Sequence, residues 1–128
     1  MVWKFRGYDA IGSKGWVYGD LVHNKRVDLT DRVMVGGYEV VSESVGLWTG
    51  LKDKNGKEVF EGDVLLFKDL GSLWDDQVVV VEWSEFGARF ETGCFNIRLC
   101  MDNEIIGNIY QNKELLKNEE ECPVSFPG

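Results

Sequence analysis

Residues 48–67 constrain this chain more than any other stretch. Asn55-Gly56 lies between apolar segments there, and that dipeptide is a strong hairpin signal. A two-residue type I′ turn needs positive φ at both central positions, which Asn tolerates and Gly adopts freely. The prediction is a strand entering through Thr49 and Gly50, a tip at Asn55 and Gly56, and a second strand launched by Gly62 and Asp63. That second strand, residues 64–67, is a short apolar run bounded by turn formers, the pattern of a strand buried on both faces. A glycine ahead of it permits a sharp bend into a closing sheet, as in small SH3-like barrels. Asp53-Lys54-Asn55-Gly56 also looks like the start of a calcium loop. The twelfth position of such a loop, where a bidentate Glu is required, falls on Val64, so no metal or other cofactor is expected.

Around this hairpin the chain reads as β throughout. Trp3, Phe5 and Gly7 alternate with Lys4, Arg6 and Tyr8, and residues 16–22 return after a turn at residues 12–15. Gly36-Gly37 separates two further apolar segments and predicts another hairpin. Residues 77–83 carry four consecutive valines and predict one strand, and residues 88–91 run back from it. Residues 104–110 predict a closing strand in which Gly107 marks a bulge or a close backbone approach. Asn112 is placed to cap one helical turn over residues 113–116. The predicted organisation is an N-terminal β-hairpin region, residues 1–47, packed on an SH3-like barrel, residues 48–117, with an acidic, Pro-containing tail over residues 118–128.

The chemistry-bearing residues form no catalytic set. His23 is the single histidine, and nothing in the sequence places a nucleophile or carboxylate beside it, so it reads as a loop residue. Lys25, Arg26 and Arg32 are offset by Asp28 and Asp31 and read as a solvated loop. Asp69, Asp75 and Asp76 likewise read as loop carboxylates, without the spacing of a cation site. Cys94, Cys100 and Cys122 lack metal-ligand spacing and read as reduced thiols of a cytosol. The formal charge of −8 lies wholly in the second half, since residues 1–50 hold six basic and six acidic side chains. Such a field disfavours nucleic acid and acidic membranes as partners. No run of apolar residues is long enough to span a membrane. Leu73 and Trp74, on a loop between strands, are the candidate partner contacts, because Trp is enriched among interface anchors. Trp48 and Trp83 are further candidates, each also suited to a core.

An ordered set of motifs spread over residues 3–117 resembles the YopX-like proteins of bacteriophages and prophages. The set comprises Lys4-Phe5-Arg6, Val45-Gly46, Thr49-Gly50-Leu51-Lys52-Asp53-Lys54-Asn55-Gly56-Lys57-Glu58 and Glu61-Gly62-Asp63-Val64. It continues with Val81-Glu82-Trp83, Glu104-Ile105-Ile106-Gly107-Asn108-Ile109-Tyr110-Gln111-Asn112 and Glu114-Leu115-Leu116. The resemblance implies a small β-rich protein with an SH3-like C-terminal part that self-associates, and it implies no chemistry. The expectation is a non-enzymatic phage or prophage accessory protein, a homo-oligomer that also meets an unidentified phage or host protein. The alternative is a regulator associated with nucleic acid or nucleoprotein.

Overall fold

Alternation at the amino terminus becomes β1 (Phe5–Tyr8), which pairs antiparallel with β2 (Trp16–Gly19) in the register Phe5↔Gly19 and Tyr8↔Trp16. The structure is a computed structural model that describes residues 3–68, 75–84, 89–93, 95–112 and 114. It divides into two compact units, Met1–Gly50 and Leu51–Gly128, each with its own core.

In the first unit the turn after β1 is organised by Asp9, whose carboxylate accepts from the backbone N–H groups of Ile11 and Lys14. The strand predicted over residues 16–22 breaks at Asp20. The chain then forms a second sheet of β3 (Leu21–Lys25), β4 (Asp31–Val35) and β5 (Tyr38–Glu39), in that spatial order. His23 and Lys25, expected in a loop, belong to β3 together with Asn24. Pairing with β4 holds them there, with His23 opposite Val33, Asn24 accepting from Arg32 Nε at 2.7 Å, and Lys25 bridged to Asp31 at 3.0 Å. The Gly36-Gly37 hairpin forms as predicted, at φ 59° and 88°. A Cβ on Gly36 would stand 2.4 Å from the Tyr18 carbonyl oxygen, so that position excludes any larger residue. Val17, Val35 and Val40 make the core, with Phe5, Leu21, Val33 and Val45 packed against it. A 3-10 turn over Ser42–Ser44 leads into β6 (Gly46–Lys52), whose start pairs with β1.

β6 crosses into the second unit and pairs there with β7 (Glu58–Phe60). The tip differs from the predicted two-residue turn. Gly56 N donates to Asp53 O at 3.0 Å and Asp53 N to Lys57 O at 2.8 Å, with Gly56 at φ 81°. Asn55 keeps negative φ, because Leu29 is the sole non-glycine residue with positive φ among the described residues. This is a three-residue loop, a type I turn closed by a left-handed residue. The Asp53 side chain selects it by accepting from Asn55 N and Lys57 N, both at 2.9 Å.

β8 (Asp63–Phe67) lies in the centre of a sheet ordered β12-β8-β9, between β9 (Gln77–Val80) and β12 (Glu104–Asn108). Val64, Leu65 and Phe67 are buried, as the continuous apolar run predicted. The long strand predicted over residues 77–83 is interrupted at Val81, whose backbone bonds to Gly62 and Asp63. β10 (Glu82–Ser84) then leaves the sheet and pairs with β11 (Arg89–Glu91). A six-residue 3-10 segment, Ile97–Asp102, contributes Cys100 to a core with Val59, Leu65, Phe67, Val79 and Val81. The chain is mainly β, and among the described residues its sheets do not close into a barrel. The predicted helical turn over residues 113–116 falls mostly outside the described residues, as does the tail of residues 118–128.

Candidate functional site

The β3–β4 hairpin ends in Arg26-Val27-Asp28-Leu29-Thr30. Leu29 N donates to Arg26 O at 2.9 Å and Arg26 N donates to Thr30 O at 2.8 Å, which is the three-residue loop of the central hairpin again. Its closing position, occupied by Gly56 in the central hairpin, is here Leu29 at φ 69°. Polar groups pin the loop from within. Asp28 Oδ1 accepts from Thr30 N at 3.0 Å and from the Thr30 hydroxyl at 2.6 Å. Arg26 Nη1 donates to Thr30 Oγ1 at 3.0 Å and to Asp31 O at 2.8 Å, and its guanidinium also pairs with Glu39. The bonds from Thr30, helped by the Arg26 charge, hold the Asp28 carboxyl below its ordinary range. The aliphatic side chains are left outside, with Val27 fully exposed and Leu29 74% exposed.

The side of β3 turned away from β4 is the end of its sheet. Asp20 O accepts from Gly36 N and Arg26 N donates to Thr30 O, so the even-numbered residues between them direct their backbone groups at β4. Val33 O accepts from Val40 N, which places the odd residues of β4 toward β5 and confirms the parity. Leu21, His23 and Lys25 therefore present their N–H and C=O groups along the open edge.

A concavity of about 600 Å³ is lined by Arg89, Phe90, Glu91, Phe95 and Ile97. Arg89 Nε meets Glu91 Oε1 at 3.2 Å, so the two charges satisfy each other, and the floor is aromatic and aliphatic. Trp83 stacks edge-on against Phe90 and is 43% exposed. This recess has the makings of a binding pocket, and none of its described lining residues carries a nucleophile.

Two buried titratable groups of the second unit, Asp53 and Cys100, are shifted by their surroundings. Burial opposes ionisation of Asp53, yet bonds from the N–H groups of Ile105, Lys57 and Asn55 outweigh it and hold the carboxyl below its ordinary value. Burial, reinforced by the charges of Asp53 and Asp102, pushes the Cys100 thiol up to about 11, which leaves it a poor nucleophile. Among the described residues no three His, Cys, Asp or Glu side chains gather as a metal site. Asp75 and Asp76 are exposed, and Asp69 lies outside the described residues.

The described residues among those singled out in the sequence belong to several separate strands and turns. Thr49 and Gly50 lie in β6, Asn55 and Gly56 at its hairpin tip, and Gly62 and Asp63 where β7 turns into β8. Asp63 Oδ2 accepts Phe60 N at 2.7 Å. Gly107 lies in β12, where the register against β8 shifts between Ile105 and Gly107. Leu73 and Trp74 lie outside the described residues. The bracing role of Asp53 and the left-handed backbone of Leu29 escaped the sequence reading. An Asp two residues before Asn-Gly is a recognisable side-chain turn signal, whereas nothing in the residue type of Leu29 announces positive φ.

Comparison with known proteins adds a family and a fold. A family model described as YopX protein matches residues 4–117. No curated protein matches the chain. The crystal structure of protein EF1440 from Enterococcus faecalis is similar, with a TM-score of 0.56 and 23% sequence identity over 91% of this chain and 99% of that one. That likeness shows a shared fold.

Proposed function

The chain belongs to the YopX protein family, and from that premise we propose that it is a binding and assembly module that recognises other proteins without transforming them. The phage or prophage setting implied by the sequence resemblance, and an SH3-like reading of the second unit, belong to the same proposal. The observation that carries it is the β3–β4 tip. A non-glycine residue in the left-handed region costs about 1–2 kcal/mol, and here that residue is an exposed leucine beside an exposed valine. Covering a Val or Leu side chain contributes roughly 1.5–3 kcal/mol, so a partner seated on both offsets the local strain. The pinned loop also lowers the ordering cost of binding. Its charges are balanced, Lys25, Arg26 and Arg32 against Asp28, Asp31 and Glu39, which fits a protein surface better than a phosphate backbone.

The test is affinity capture from bacterial cells carrying the native chain, with wild type and a Val27→Ser, Leu29→Gly variant as baits. Proteins held by the wild type are expected to be lost by the variant while its melting temperature is unchanged. An identical set of captured proteins on both baits would remove the tip from the proposal.

A further inference from the structure

We propose that two copies of this chain pair antiparallel along the open edge of β3, with His23 of one copy opposite His23 of the other. The inference deepens the assembly reading above, but it uses the strand edge and not the tip. Backbone parity fixes which registers are allowed. The outward groups belong to Leu21, His23 and Lys25, so only a register that faces odd residues with odd residues joins donors to acceptors. Centring the two-fold axis on His23 puts Leu21 opposite Lys25 of the second copy, and each such pair exchanges both of its N–H···O bonds.

Charge selects this register among those the parity allows. Asp20 falls opposite Arg26 of the second copy on both sides of the axis, joining unlike charges twice. Lys25, whose charge would repel a second Lys25, meets Leu21 instead and lays its aliphatic stem along that side chain. Val22 meets Asn24, so no like charges stand directly opposite one another. Every residue from His23 to Lys25 is exposed in the single chain, as an unoccupied edge requires. Pairing would join two β3-β4-β5 sheets into one continuous sheet and remove an open edge that otherwise invites unspecific aggregation.

The test uses the full chain. Light scattering on the wild type is expected to give twice the chain mass of 14.6 kDa. His23→Pro removes an outward donor that takes no part in the bonding to β4, a place where an edge strand accepts proline, and is expected to give the single-chain mass with the thermal transition retained. Because that variant could fail to fold, His23→Cys supplies an independent measurement. Residues at a hydrogen-bonded antiparallel pair have Cα atoms about 5.5 Å apart, within disulfide reach. Oxidised His23→Cys is therefore expected to give a cross-linked dimer whose peptide map joins residue 23 to residue 23, while Asn24→Cys gives none at residue 24. A single-chain mass for the wild type overturns the inference, as does a dimer that survives His23→Pro or cross-links equally at residue 24. In either case the tip-dependent capture is read separately, so failure of the edge and failure of the binding reading remain distinguishable.

Discussion

The loops at residues 26–30 and 53–57 share one backbone plan and have opposite fates. Each closes a type I turn with a left-handed residue, and each is braced by an aspartate that accepts backbone N–H bonds. At residues 53–57 the left-handed residue is Gly56. The brace, Asp53, is 5% exposed and reaches across the unit to Ile105 N at 3.1 Å, while Lys54 N donates to Asn103 O at 2.9 Å. At residues 26–30 the left-handed residue is Leu29, and apart from the Arg26–Glu39 ion pair the loop's bonds stay within residues 26–31. The same local geometry therefore serves as an anchor where its polar groups are buried and as a display where they are not.

Removing the buried brace should show the largest difference. Asp53→Ala strips the acceptor from three backbone N–H groups, so the expected loss is about 3 kcal/mol in urea unfolding, given the worth of hydrogen bonds to a charged group and the cost of leaving donors unmet. Asp28→Ala should cost far less, because its donors regain water. Equal losses would erase the contrast between anchor and display.

Next in size is Gly56→Leu, which copies the left-handed residue of the 26–30 loop into the anchor. No atom lies within 4 Å of a Cβ built at Gly56, so the expected destabilisation is backbone strain alone, about 1–2 kcal/mol by thermal unfolding. Acid gives a gentler version of the Asp53 change. Its folded carboxyl titrates below the ordinary value, so its contribution is complete above the unfolded carboxylate range and is lost as pH falls through the folded value. Unfolding midpoints measured from neutral pH downward should decline in that acid window for the wild type and decline less for Asp53→Asn. The smallest effect is expected from Leu29→Gly. Relief of strain and the extra freedom of glycine in the unfolded chain nearly cancel, for a change under about 1 kcal/mol, although binding through the tip is lost. A variant that loses both stability and binding would mark Leu29 as a folding residue.

Much of this was legible in the sequence because strand periodicity and turn chemistry are local. The β1–β2 pairing, the Gly36-Gly37 hairpin and the buried β8 follow from alternation, from glycine's access to positive φ and from an unbroken apolar run. What escaped depended on distant partners. Asn55-Gly56 favoured the two-residue turn until the Asp53 carboxylate drew Asn55 N and Lys57 N into a longer one. His23 and Lys25 looked like loop because their strand has little apolar content, and only the β4 register supplies the cross-strand pairs that hold it. Val81 ended a strand that four valines seemed to extend, because its backbone is claimed by Gly62 and Asp63. The proposed interaction surface was the least visible, since leucine carries no sign that its backbone will be left-handed.

Residue-resolved hydrogen exchange at two protein concentrations tests most directly whether the β3–β4 hairpin is the interaction element and the 53–57 loop an internal anchor. Concentrating the protein is expected to slow exchange at Leu21, His23 and Lys25 and to leave the amides of Asn55 and Lys57 unchanged, since Asp53 already holds those two within one chain. Concentration-dependent protection confined to residues 53–57, or none along β3, would contradict that assignment.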